Sequence, residues 1–172
     1  MNIQEFKENP HLKEFEIEDD FNDNLLKGFL CRQQGNIYGT ILITHINGDE
    51  TEQLIYGVPK INYPFDRNGI FRYPKFDSCT WFSKLDGTNI LSFCYSHNGQ
   101  EFITYKTRLT PIVKDMKFGN FKKMWEEILE RYPQIPLLVS PERSLSFELY
   151  GALNKHLILY KRLVLFRLIL RL

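Results

Sequence analysis

The segment Ser83-Lys84-Leu85-Asp86-Gly87-Thr88-Asn89 sets an amine just ahead of an Asp-Gly turn, and the turn opens a strand-like run. Lys84 is therefore expected at the lip of a sheet. A lysine is a nucleophile only when neutral, and its reference pKa is about 10.4. Neighbouring cations and loss of water both lower that value. The sequence supplies cations through a hairpin. Asn98-Gly99 lies between two strand-like runs, a strong signal for a tight two-residue loop. That loop pairs His97 with Gln100, sets Leu91 opposite Lys106 and sets Asn89 opposite Arg108. Opposed residues share a face, with Cβ atoms about 5 Å apart. Lys106 and Arg108 would then project beside Asn89 at the strand end nearest Lys84. Cations so close repel unless an anion lies among them, and a polyphosphate suits such a site. Taken singly, each residue has a plainer reading: Lys84 as a solvated lysine beside a turn, Lys106 and Arg108 as a solvated strand face.

The elements that must hold these groups can be read in outline. The first thirty residues read as one or two short amphipathic helices with an acidic face. Ile37–Ile46 reads as a strand, Asn47-Gly48-Asp49 as a turn and Gln53–Tyr56 as a returning strand. A loop follows, marked by Pro59, Pro64, Gly69 and Pro74. Asn89–His97 and Gln100–Lys106 form the hairpin. Asn120–Tyr132 has helical spacing, with Phe121, Met124, Trp125, Ile128 and Leu129 on one face, and Pro133 ends it. Leu145–Tyr150 is a further strand, broken by Gly151. Strands with few helices and no βαβ alternation predict an α+β domain on antiparallel sheet.

A length of 172 residues suits one domain, and a hydrophobic share of 43% suits a real core. A net charge of +1 excludes nucleic-acid binding through bulk charge, so phosphate contacts must be local. Charge is nevertheless uneven: Glu14, Glu16, Glu18, Asp19 and Asp20 cluster near the start, while Lys155–Leu172 is basic. Cys31, Cys79 and Cys94 have no metal-ligand spacing and read as reduced thiols of a cytoplasmic protein. The N-terminal segment lacks the apolar stretch of a signal peptide, and no apolar run is long enough to span a bilayer.

Lys84-Leu85-Asp86-Gly87-Thr88-Asn89 also resembles the nucleotidyl-attachment motif of covalent nucleotidyltransferases, the family of RNA ligases, DNA ligases and mRNA capping enzymes. DNA ligases and capping enzymes usually carry Arg at the position of Asn89, so the match is closer to phage-type RNA ligases. Tyr105-Lys106-Thr107-Arg108 is similar to the next motif of that family. Tyr56-Gly57-Val58-Pro59-Lys60-Ile61, running on to Tyr63-Pro64-Phe65, looks like the segment before the lysine. Ser146-Phe147-Glu148-Leu149-Tyr150-Gly151 resembles the third motif; alone, Glu148 reads as an edge-strand carboxylate. Together these cover roughly Tyr56–Tyr160.

The resemblance implies an antiparallel-sheet nucleotidyltransferase (ATP-grasp-like) domain and an ATP-dependent RNA ligase. Lys84 would attack ATP to form lysine–AMP. AMP would then pass to an RNA 5′-phosphate, and a 3′-hydroxyl would seal the strand. ATP and magnesium are the implied cofactors and RNA ends the implied partners, with no membrane. Asp86 and Gly87 would shape the turn that aims Lys84, and Asn89 would donate to a phosphate or to ribose. Lys106 and Arg108 would hold phosphates, Glu148 would accept from the ribose hydroxyls, and Tyr160, in the Leu157–Tyr160 run, would stack on adenine. The family's fourth motif, with a metal-binding carboxylate, and its fifth, with paired lysines, have no counterpart before Leu172. After Tyr160, Lys161-Arg162 and the apolar Leu163–Leu172 replace the Asp expected of relatives. The expectation is thus one domain over 1–172, truncated before the last two motifs; a frameshifted end, or an amphipathic or partner-binding tail, is the alternative. Two other readings remain: an impaired ligase remnant that binds nucleotide or RNA ends without turnover, and a β-rich interaction domain.

Overall fold

The computed structural model describes residues 1–60, 63, 65–72, 75–80, 83–117 and 119–154, and the backbone of 164–165 and 169–170. Its elements are α1 (Ile3–Lys7), β1 (Leu12–Asp19), β2 (Asn24–Cys31), β3 (Ile41–Ile46), β4 (Asp49–Ile55), β5 (Thr88–His97), β6 (Gln100–Lys106), α2 (Phe121–Arg131), β7 (Leu145–Tyr150), β8 (Val164–Leu165) and β9 (Ile169–Leu170). The chain is an α+β domain built on two antiparallel sheets. One runs β1-β2-β3-β4; the other runs β6-β5-β7-β8, with β9 also paired to β7.

β5 is the hub. Its residues alternate between two cores, so it is buried along most of its length. Phe93 and Tyr95 pack with Leu26, Leu30, Ile41, Ile43 and Ile46 of the first sheet. Ile90 and Cys94 face the other way, onto Met124, Trp125 and Ile128 of α2. That helix lies where its spacing predicts, with Phe121 and Leu129 partly buried beside the same cluster. Its N-cap Asn120 makes no side-chain cap; Asp115 Oδ1 instead accepts from Lys122 N at 2.9 Å.

The expected N-terminal helices are corrected by the structure. Only Ile3–Lys7 is helical, and the acidic stretch is strand β1. The reason is period: Phe15 and Ile17 turn inward while Glu14, Glu16 and Glu18 are exposed, an alternation of two that suits an edge strand. Asp19 ends this strand fully buried. It accepts from Tyr95 Oη (2.8 Å), Thr104 Oγ1 (2.7 Å) and Asn22 Nδ2 (2.8 Å), tying the β1–β2 turn to β5 and β6. Burial tolerates this carboxylate because its oxygens are hydrogen-bonded.

β7 spans the predicted range and meets the tail on its outer edge. Leu149 pairs with Leu165 and Tyr150 with Val164, while Leu145 pairs with Leu170 and Ser146 with Ile169. Among the described residues, no helix is long and apolar enough to cross a membrane.

Candidate functional site

The register of the second sheet sets the geometry. Asn98 (φ 50°) and Gly99 (φ 75°) make the tight loop, and His97 pairs with Gln100. The ladder runs as far as Leu91 opposite Lys106, as the loop predicts. On the other side of β5, Leu91 faces Ser146 and Asn89 faces Glu148. Lys106, Leu91 and Ser146 thus form one row across the sheet, and Asn89 with Glu148 forms part of the next. All project to one face, the face whose Phe93 and Tyr95 meet the first sheet.

The expected pairing of Asn89 with Arg108 does not form, because β6 ends at Lys106. Arg108 instead lies over the Tyr38 ring, with its guanidinium carbon 5.7 Å from the ring centre. Its Nε is buried without a hydrogen-bond partner. Lys106 is 1% exposed, and its amine donates to Gly39 O and Thr107 O, each at 2.8 Å. Gly39 permits this approach: it has φ 80°, and a Cβ there would lie 2.4 Å from Arg108 O. Lys106 and Arg108 therefore clasp the loop before β3. Gly57 N also donates to Thr40 Oγ1 at 3.0 Å, so the Tyr56–Lys60 segment joins the same loop.

Lys84 is exposed, in the irregular segment just before β5. Its turn is pressed against β7: a Cβ on Gly87 would lie 2.3 Å from Leu149 O. Asn154 completes this corner, donating to Leu149 O at 2.5 Å and to Thr88 Oγ1 at 3.1 Å. Asn89 Nδ2 donates to Ser146 Oγ (2.7 Å) and Phe147 O (3.2 Å). Asp86 and Glu148 are half-buried and have interactions of their own. Tyr160 and the rest of its run lie outside the described residues, as do Ile61, Pro64 and Pro74. Tyr38, Gly39 and Asn154 were missed by sequence reasoning. Gly39 alone carries a local signal, as a glycine breaking an otherwise strand-like run.

Burial, and then the charge of Arg108, push the Lys106 pKa from 10.5 down to about 7. The unfolded chain therefore holds an extra proton between these values. Stability from this residue should rise with pH across that window; below about pH 7 both states are charged and the burial cost is complete. Lys106→Met should flatten the rise in urea midpoint between about pH 7 and 9.5, measured on both proteins by circular dichroism. An unchanged slope would mean that Lys106 does not titrate as its surroundings dictate.

Among the described residues, no group of three or more His, Cys, Asp or Glu side chains is arranged to hold a metal. A groove of about 550 Å³ lies elsewhere, against Lys7, Phe29, Thr44, His45 and Glu52, and is lined by none of the predicted site residues. In comparisons with known proteins, the chain matches no protein-family model, no curated protein and no solved structure.

Proposed function

We propose that the chain is an RNA-ligase-type adenylyltransferase. The Lys84 amine attacks the α-phosphorus of ATP; a nitrogen–phosphorus bond forms, the bond to pyrophosphate breaks, and the amine loses a proton. AMP then passes to an RNA 5′-phosphate, and a 3′-hydroxyl displaces it to join the strands. On this reading the two facing sheets are a nucleotidyltransferase domain acting in the cytoplasm. The observation that supports it is the register, which sets Asn89 opposite Glu148 and Lys106 in the neighbouring row, at the sheet end that the Lys84 turn closes. Polar groups at that end match the needs of a nucleotide: carboxylate for ribose, amide for ribose or phosphate, cations for developing negative charge. A guanidinium Nε without a partner, on Arg108, is a donor that a phosphate oxygen would satisfy. Magnesium would be held chiefly by phosphate oxygens and water, which asks for no dense carboxylate cluster.

Intact-mass measurement after incubation with magnesium and each of the four nucleotides tests the reading. ATP should add one AMP per chain, GTP should add no GMP, and Lys84→Ala should abolish the adduct. Full labelling of Lys84→Ala would refute the assignment of the nucleophile.

One observation favours a second reading. The Asn89 amide and the Lys106 amine are already bonded to the chain's own oxygens. A remnant that binds nucleotide or RNA ends without turnover would have little need to release them. It predicts saturable ATP binding with no covalent adduct.

A further inference from the structure

The connection between β4 and β5 carries an unusual surface. Tyr63 is 71% exposed, Phe71 68%, Ile70 57%, Phe76 55% and Phe65 48%. Large apolar side chains so exposed, close together in one connection, mark an interaction surface. They are not a loose coil. Phe65 and Phe71 form a bridge, and the turn between them is held by Asp66. Its Oδ1 accepts from Asn68 N (2.9 Å) and Ile70 N (3.1 Å), while Oδ2 receives the Arg72 guanidinium at 3.1 Å. These bonds hold the Asp66 carboxyl below its usual pKa, the Ile70 backbone bond most of all. The rings are arranged against one another: Tyr63 stacks on Phe65 at 6.2 Å, and Phe65 meets Phe71 edge-on at 6.1 Å.

Cations are interleaved with these rings. Arg67, Arg72 and Lys75, all exposed, alternate with the aromatics along the sequence, against Asp66, which is engaged by Arg72, and Asp77. Aromatic faces alternating with Arg and Lys match the chemistry of unpaired nucleic acid. Bases stack on rings while phosphates meet cations, and every base offers a π-face. A duplex hides its bases and would use the cations alone, so the rings point to a single strand.

We propose that this tip, centred on Phe65, Arg67 and Phe71, is a stacking platform for the unpaired bases of a single-stranded RNA end. It rests on the ligase reading for its substrate, and the connection that carries it leads directly into Lys84.

Fluorescence anisotropy of the full chain with a labelled, 5′-phosphorylated oligouridylate, without ATP, tests it. A blunt duplex of equal length is the comparison. The single strand should bind more tightly than the duplex. Phe71→Ala should weaken binding about tenfold, for oligouridylate and oligoadenylate alike. Arg67→Ala should weaken it and lower the salt dependence by about one ion. Both residues are exposed, so both variants should fold. Equal affinity for duplex and single strand, or RNA binding indifferent to Phe71→Ala, overturns the proposal. So does a dimer, seen by sedimentation, that Phe71→Ala dissolves while RNA binding is unchanged, since the face would then be a self-association surface. Adduct formation with ATP alone separates the two readings. An adduct with RNA binding indifferent to the tip sinks only the platform. RNA binding lost with Phe71→Ala, but no adduct in the parent chain, sinks only the adenylyltransferase.

Discussion

Trp125→Ala is expected to lower the unfolding free energy by about 3–5 kcal/mol. Trp125 is fully buried and is among the largest side chains in the molecule with no exposure. It joins α2 to the back of the second sheet, with ring centres 5.3 Å from Tyr105 and 5.5 Å from Phe147. Truncation removes the ring's transfer energy and leaves a cavity among rigid strands that cannot close over it. Tyr105 and Phe147 directly precede Lys106 and Glu148, so slack behind the sheet should also loosen the rows that carry those side chains. Trp125→Phe should cost far less. It keeps most of the ring and removes an indole N–H that is buried without a partner. Urea unfolding of both variants checks this. A loss below about 1 kcal/mol for the alanine variant would mean that α2 contributes little to the core.

Gly87→Ala should disturb the Lys84 turn through the backbone. The added methyl would lie 2.3 Å from Leu149 O and 2.8 Å from Tyr150 Cβ, and a carbonyl in a sheet cannot swing aside as a flexible side chain can. The start of β5 must then move off β7, at a cost of about 1–3 kcal/mol. Thr88 pairs with Leu149, and Asn154 bonds to both Thr88 and Leu149, so the same shift disturbs that corner. Lys84 hangs from this turn. On the adenylyltransferase reading, its displacement should reduce adduct formation at least tenfold while the variant remains folded, because reaction geometry is lost over about 1 Å. Undiminished labelling in a folded Gly87→Ala protein would show that the turn does not position the amine.

Much of the second sheet was legible because its signals are local. Asn98-Gly99 demands positive φ at both residues, and a two-residue loop leaves one register, so the pairing could be counted outward to Leu91 and Lys106. Helix α2 and strand β7 announced themselves by periodicity and by the breakers Pro133 and Gly151. The N-terminal strands were hidden by composition. Acidic residues suggested a helical face, yet their spacing of two, around Phe15 and Ile17, was the better guide. The strand expected from Ile37 begins only at Ile41, since Gly39 turns the chain there. The clasp of Lys106 and Arg108 on Tyr38 and Gly39 had one local signal, the glycine itself, and nothing in the sequence said what would meet it. It joins segments far apart in the chain.

One tension bears on the nucleophile. The lysine whose surroundings depress its pKa to about 7 is Lys106, which is buried and bonded to two carbonyls. Lys84 is exposed and stands at the turn that closes the sheet. An attacking amine must reach the α-phosphorus in line with its leaving group, and access favours Lys84; on the proposed reading Lys106 would be a neighbour of the nucleotide rather than the nucleophile. Peptide mapping by tandem mass spectrometry, after incubation with ATP and magnesium, decides between them. AMP should be found on the peptide at Lys84. AMP on Lys106, or no modified lysine at all, would contradict the account.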